Sequence, residues 1–215
     1  MGRTHMAQLP FDWDLASAHI ADADPAIGRV ITAVGTARLE PRRIPTPFHS
    51  LARAIVYQQL SGKAAATIFG RVAALFPRKR PTPEALLALP DGTLRGCGVS
   101  GQKLAALRDL ALKTQQGLVP GWAALRRLED EAIIEQLTQV RGVGRWTVEM
   151  LLMFDLNRPD VLPVADLGVR KGFQKALGLR KEATPEKLAK HAHRWRPYRT
   201  VASWYCWRAL ELPND

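Results

Sequence analysis

The 215-residue sequence predicts an all-α protein, a two-lobed helical bundle. Helix-start punctuation recurs: a capping residue stands directly before proline at Asp24-Pro25, Thr82-Pro83-Glu84 and Thr184-Pro185-Glu186. Between such stops the apolar residues fall at helical spacing, and alternating strand patterns are scarce.

In chain order the pattern gives about ten helices, near 12–22, 25–35, 48–59, 62–76, 83–88, 101–116, 121–127, 130–138, 145–155, 167–177, 185–193 and 197–210, with several short ones expected to merge or fail. The helices at 48–59 and 62–76 rest on Leu51, Ile55, Ile68, Val72 and Leu75. The one at 101–116 rests on Leu104, Leu107, Leu110 and Ala111, and that at 130–138 on Ile133, Ile134 and Leu137. Pro41–Pro47 reads equally as an interlobe linker or a surface loop. No repeat or low-complexity tract interrupts the pattern. Met1-Gly2-Arg3-Thr4-His5-Met6 reads as an expression remnant, with Met6 a candidate native start, and is set aside.

Hydrophobic residues make up 47%, enough for a core and too many for a disordered chain. The net charge of +11 favours a polyanionic partner, because phosphate binding releases condensed counterions. A basic but inert surface is the bland alternative. The excess is uneven: residues 51–120 carry ten basic groups against three acidic ones, whereas 1–50 are neutral. Cys97 and Cys206 stand far apart, so an iron–sulfur cluster on four cysteines and a cysteine-based zinc site are both excluded. No apolar run is long enough to span a membrane, and no signal peptide opens the chain. The expectation is a soluble intracellular protein, in cytoplasm or nucleoid if bacterial, with no membrane partner.

The informative stretch runs from Leu137 through Thr138, Val140, Arg141, Gly142, Val143, Gly144, Arg145 and Trp146 to Thr147 and Val148. A helix rich in Glu and Ile enters it and an apolar helix leaves it. Two glycines around one apolar residue allow positive φ at both and close approach to another surface. The outgoing helix presents unpaired N–H groups where a phosphate is favoured, and Arg141 and Arg145 add charge. A tight helix–helix turn would also account for Gly-Val-Gly alone. The full pattern, Leu-x2-Val-x-Gly-Val-Gly-x2-Thr-Val, resembles the helix-hairpin-helix DNA-binding motif. That resemblance implies phosphate contacts at Gly142, Gly144, Arg145 and Thr147, which position the protein without reading sequence. It also implies a Na+ or K+ ion on the backbone carbonyls of Thr138, Val140 and Val143; no other cofactor is expected.

Downstream lies Leu162-Pro163-Val164-Ala165-Asp166, the aspartate beginning a helix. An N-cap is the plain reading of Asp166. Hairpin and aspartate together resemble the helix-hairpin-helix, Gly/Pro-rich, aspartate-containing DNA glycosylases, with the active site in the cleft between the lobes. The resemblance makes Asp166 catalytic, a carboxylate that stabilises positive charge on the deoxyribose as the glycosidic bond breaks or helps activate the attacking water. Twenty residues earlier, where bifunctional members carry a Schiff-base lysine, stands Trp146, so lyase activity is not expected. A tryptophan there resembles the alkylation-specific branch, the 3-methyladenine DNA glycosylase II group; ordinary core is its other reading.

An electron-rich pocket suits a base made cationic by alkylation. The segment Trp195-Arg196-Pro197-Tyr198-Arg199 and the later Trp204 and Trp207 resemble the C-terminal helix of alkylpurine glycosylases; Trp207 is preferred to Trp204 as the pocket wall on register. Trp146, Tyr57 and Gln58 complete the expected base pocket. Flipping a base out costs stacking and pairing, and a side chain usually fills the gap. Tyr57-Gln58-Gln59-Leu60-Ser61-Gly62-Lys63 resembles the family's wedge region. Gln59 and Leu60 are both plug candidates, a buried junction leucine being the plain alternative for Leu60. Lys63 and Lys103 are candidate phosphate neighbours.

The resemblance covers roughly residues 48–210, and larger relatives carry an extra N-terminal α/β domain. A compact version with a more open pocket is therefore expected. The implied organisation is an N-terminal helical segment, 1–47, packing with the C-terminal lobe; a lobe at 48–160 holding the helix-hairpin-helix at 130–155; and a C-terminal lobe at 161–215. The implied activity is monofunctional excision of alkylated bases from double-stranded DNA, by a monomer. A glycosylase for other damaged or mismatched bases, a non-catalytic helix-hairpin-helix module and a protein-interaction domain are the rivals.

Overall fold

A computed structural model of the chain describes residues 10–35, 38–40, 42 and 44–213. The Met1–Met6 remnant lies outside the described residues, as does Pro41. The described residues form thirteen α-helices: α1 (Trp13–Ala23), α2 (Pro25–Val34), α3 (Pro47–Tyr57), α4 (Gly62–Ala74), α5 (Pro83–Ala88), α6 (Asp91–Gly96), α7 (Gly101–Gln115), α8 (Trp122–Leu125), α9 (Asp130–Leu137), α10 (Arg145–Phe154), α11 (Leu167–Ala176), α12 (Pro185–His191) and α13 (Arg199–Ala209). Short 3₁₀ turns lie at Pro77–Lys79 and Ala192–Trp195. No strand occurs among the described residues, and no helix there is long and apolar enough to cross a membrane. Helix α6 was not expected. It carries two glycines and no side-chain cap, and it is fixed by burial of Leu94 rather than by propensity. The expected 121–127 helix shrinks to the single turn α8.

The chain divides into two compact units, Met1–Arg42 with Leu152–Asp215, and Arg43–Leu151. The first holds α1, α2 and α11–α13 around Ile20, Ile27, Phe173, Trp195 and Tyr205. Burying each such side chain contributes roughly 1.5–3 kcal/mol. Asp24 ends α1 and begins α2. Its Oδ1 accepts the Ala26 and Ile27 N–H groups, while Oδ2 is bonded to His191 Nε2 at 2.6 Å and to Trp195 Nε1 at 2.9 Å.

Burial alone would raise the Asp24 pKa, but the His191 and Trp195 bonds and the charge of His191 hold it below the usual aspartate value. A depressed folded-state pKa stabilises fully above the unfolded carboxylate range, and that stability is lost as pH falls through the folded value. Thermal melts of the wild type should therefore fall off below about pH 4, and Asp24→Asn should lose about 2 kcal/mol at pH 7 and flatten that slope. Parallel melting curves between pH 7 and pH 3 would remove Asp24 from the acid response.

The second unit holds α3–α9 and most of α10. Thr46, Ser61, Thr82 and Ser100 each cap a helix through the side-chain oxygen. Helix α7 is its spine, burying Leu104, Leu107 and Leu110. Its Arg108 guanidinium reaches the Leu87 carbonyl at 3.0 Å and Asp91 at 2.7 Å, which ties the α5–α6 corner to it.

Candidate functional site

In the second unit α3 stops at Tyr57, two residues earlier than the sequence suggests, because Gln58 leaves it in an extended conformation. Gln59 then takes a left-handed φ of +57°, unusual for a residue with a side chain. Leu60 follows, 39% exposed, and the Ser61 hydroxyl caps α4 by accepting the Ala64 N–H. Gln59 and Leu60 thus stand exposed at the tip of a tight turn, with Lys63 exposed in the first turn of α4. Tyr57 is half-buried, with the Arg53 guanidinium 3.9 Å from its ring centroid and Phe69 edge-on.

The hairpin between α9 and α10 is closed by the Val140 N–H donating to the Leu137 carbonyl and the Val143 N–H to the Val140 carbonyl, at 3.1 and 3.0 Å. Gly142 has φ +76° and lies against α7, where a Cβ would come within 3.2 Å of the Ala106 methyl. Gly144 differs from expectation: it lies outside the left-handed region and open space surrounds it. Exposure to an approaching surface is what its small size permits. Its carbonyl accepts the Thr147 and Val148 N–H groups that open α10, and Thr147 is buried.

Helix α7 braces this hairpin. Asp109 accepts the Arg141 N–H at 2.7 Å and pairs with Lys113, which also donates to the Gln139 carbonyl. Burial opposes the Asp109 charge, yet the Arg141 N–H and Lys113 outweigh it and keep the carboxyl acidic. The Gln58 amide donates to the Gly142 carbonyl at 2.8 Å, so turn and hairpin are joined directly. Lys103, a candidate phosphate neighbour, is tied to the protein as well. Its ammonium donates to the Val56 and Gln58 carbonyls, each at 2.7 Å. Arg145 pairs through both terminal nitrogens with Glu131, at 2.9 and 2.5 Å, and through Nε with Glu149 at 3.1 Å. Trp146 is 48% exposed in the first turn of α10.

In the first unit Asp166 caps α11, its Oδ1 accepting the Val169 N–H at 2.7 Å and the Trp207 Nε1–H at 2.9 Å. The Trp207 ring stacks on Phe154 with centroids 5.9 Å apart, and the Arg42 guanidinium lies 4.4 Å from the Phe154 centroid. Trp204, three residues away, is 8% exposed and packs edge-on against Trp13 and Tyr205. The choice of Trp207 over Trp204 thus corresponds to a physical difference, an indole bonded to Asp166 against an indole in the core. Gly168 permits this approach: a Cβ there would meet Trp207 Cδ1 at 2.8 Å.

Sequence reasoning missed Asp109, Gly168, Phe154 and Arg42. Only Gly168 carried a usable signal, a glycine two residues after the candidate aspartate in the first turn of a helix. Among the described residues no three His, Cys, Asp or Glu side chains converge as a metal site would require.

Residues 52–197 match the model of a family described as HhH-GPD superfamily base excision DNA repair protein. The chain is 39% identical over 203 residues to DNA-3-methyladenine glycosylase 1 of Schizosaccharomyces pombe, covering 93% of this chain and 88% of that protein. Among solved structures it is similar to a 3-methyladenine DNA glycosylase of Schizosaccharomyces pombe in complex with abasic DNA, with TM-score 0.83, 38% identity and coverage of 94% and 98% of the two chains. It is likewise similar to a DNA-3-methyladenine glycosidase from Bacillus halodurans, with TM-score 0.82, 36% identity and coverage of 97% and 92%.

Proposed function

The chain belongs to the HhH-GPD superfamily of base excision DNA repair proteins, and on that footing we propose that it is a monofunctional DNA glycosylase that removes alkylated bases from double-stranded DNA. The carrying observation is Asp166, a carboxylate fixed in orientation by the α11 backbone and the Trp207 indole. In this reading the C1′–N bond breaks with its electron pair leaving on the base. The Asp166 charge stabilises the oxocarbenium-like sugar, and water adds at C1′ with loss of a proton. Trp207 offers an indole face to a cationic base, an interaction of roughly 0.5–2 kcal/mol. Trp146 has no amine to form a Schiff base, so the product is an abasic site in an intact strand. The enzyme works as a monomer.

The hairpin holds the DNA backbone, Gly144 keeping a side chain out of the way of a phosphate while Gly142 seats the hairpin against Ala106 of α7. The carbonyls of Thr138, Val140 and Val143 suit a Na+ or K+ ion, which takes oxygen ligands. Val140 fits even while accepting the Val143 N–H, because a carbonyl has a second lone pair. When bound, the ion would attract a phosphate oxygen.

Purified protein incubated with duplex DNA bearing methylated purines should release free methylated base and leave the strand uncut until alkali is added. A strand cut without alkali would contradict the monofunctional reading. No release from any methylated duplex, with salt-sensitive binding intact, would instead leave a binding module or another lesion class.

A further inference from the structure

We propose that Lys103 is a positioning residue for base flipping, holding from α7 the turn that presents Gln59 and Leu60. The inference rests on the glycosylase reading above and concerns a residue outside the reacting groups. Helix α3 ends with carbonyls that have no intrahelical partner and carry the negative end of the helix dipole. The Lys103 ammonium bonds two carbonyls there, Val56 and Gln58, both at 2.7 Å. Immediately beyond them the chain adopts its left-handed conformation at Gln59 without a glycine to ease it.

The other side of the turn is held as well. The Gln58 amide binds the Gly142 carbonyl of the hairpin, and the hairpin rests on Ala106 and Asp109 of the same α7. A cavity of about 290 Å³ lies between these parts, lined by Gln58, Gln59, Gln102, Lys103 and Arg141 among others. Helix α7 is therefore a common frame for turn and hairpin, and Lys103 is the clasp on the turn. Burial disfavours its charge and lowers its pKa, and the two carbonyls are what face the ammonium there. What the ammonium adds is a fixed place for the Gln58 carbonyl, and hence a fixed direction for the two residues that follow. A turn free to swing would still let a base enter the site but would hold the opened duplex poorly.

Lys103→Met keeps the length and apolar stem and removes the donors. Single-turnover excision is compared on a methylated purine opposite its normal partner and on the same lesion opposite an abasic analogue, where less pairing must be broken. Fluorescence of 2-aminopurine placed beside the lesion reports insertion of the turn independently of excision. All proteins are assayed well below the lowest melting midpoint.

The variant should lose about tenfold or more on the paired duplex and less than about threefold on the unpaired one, because only the flipping step is affected. Its 2-aminopurine response should fall in parallel. Lys103→Arg, which keeps a charged donor, should restore most of the paired-duplex rate. Equal losses on both duplexes, an unchanged rate on the paired one, or an unchanged 2-aminopurine response would overturn the proposal, as would a folded Lys103→Arg with no recovery. A wild type that neither releases base nor unstacks the reporter would sink the glycosylase reading and the clasp with it. A wild type that releases base while Lys103→Met matches it would sink the clasp alone.

Discussion

Asp166→Asn is expected to lower single-turnover base release by about a thousandfold or more while leaving duplex affinity within about threefold, the scale seen when a preorganised electrostatic group is lost. The substitution is informative because of where the bonds of Asp166 fall. Both the Val169 N–H and the Trp207 Nε1–H reach Oδ1. Asparagine offers a carbonyl oxygen at that place and is as good an N-cap as aspartate. The α11 start and the Trp207 contact are therefore kept while the negative charge disappears. Asp166→Ala should lose the charge and the cap together, adding about 1 kcal/mol of destabilisation. The check is a base-release time course at saturating enzyme, with melting and duplex titration of the same samples. A loss of less than about tenfold in Asp166→Asn would return Asp166 to a capping role and move the charge stabilisation elsewhere.

Asp166 was readable as a helix cap because that role is local: a proline-containing apolar segment before it, helical spacing after it. The caps at Asp24, Thr82 and Thr184 were readable for the same reason, since a side chain bonding two or three residues ahead leaves its mark within one turn of sequence. The hairpin was readable as a pattern, although only Gly142 of its two glycines has positive φ.

What escaped is what depends on a distant partner. Nothing near Lys103 in sequence says that its ammonium meets carbonyls 47 and 45 residues away. Asp109 looks like one charge on a surface helix until the Arg141 N–H is placed upon it. Trp204 and Trp207 lie nearly one turn apart on α13, and their different fates are decided by what faces them, Trp13 and Tyr205 for one, Asp166 and Gly168 for the other. Helix α6 escaped for the opposite reason: its local propensity is poor and tertiary burial of Leu94 overrides it.

Gly172→Ala sets two effects of opposite sign against each other. In the interior of α11 the change from glycine gains about 1 kcal/mol of helix propensity. Against this, a Cβ at 172 would lie 1.7 Å from the Cys206 carbonyl oxygen, 2.4 Å from its carbon and 2.9 Å from its Cα. All three are backbone atoms of α13, so no side chain can swing aside. The two helices must separate, and the interface that buries Phe173, Val169 and Cys206 must open with them. Overpacking of a well-fitted core costs roughly 1–3 kcal/mol and more when the backbone itself must move. The clash should win, with a net loss of about 3 kcal/mol and a melting midpoint lower by about 6–12 °C. Function should suffer beyond the unfolded fraction, because the same helix spacing lays Trp207 against Gly168, one turn earlier along α11, and so within reach of Asp166 at the helix cap. Gly168→Ala separates the two consequences. Its Cβ would meet the Trp207 side chain at 2.8 Å, which can rotate, so stability should fall less than in Gly172→Ala while base release still drops. Calorimetric melts and single-turnover rates of both variants measure this. A Gly172→Ala protein melting with the wild type would mean that α11 and α13 do not approach as closely as the structure places them.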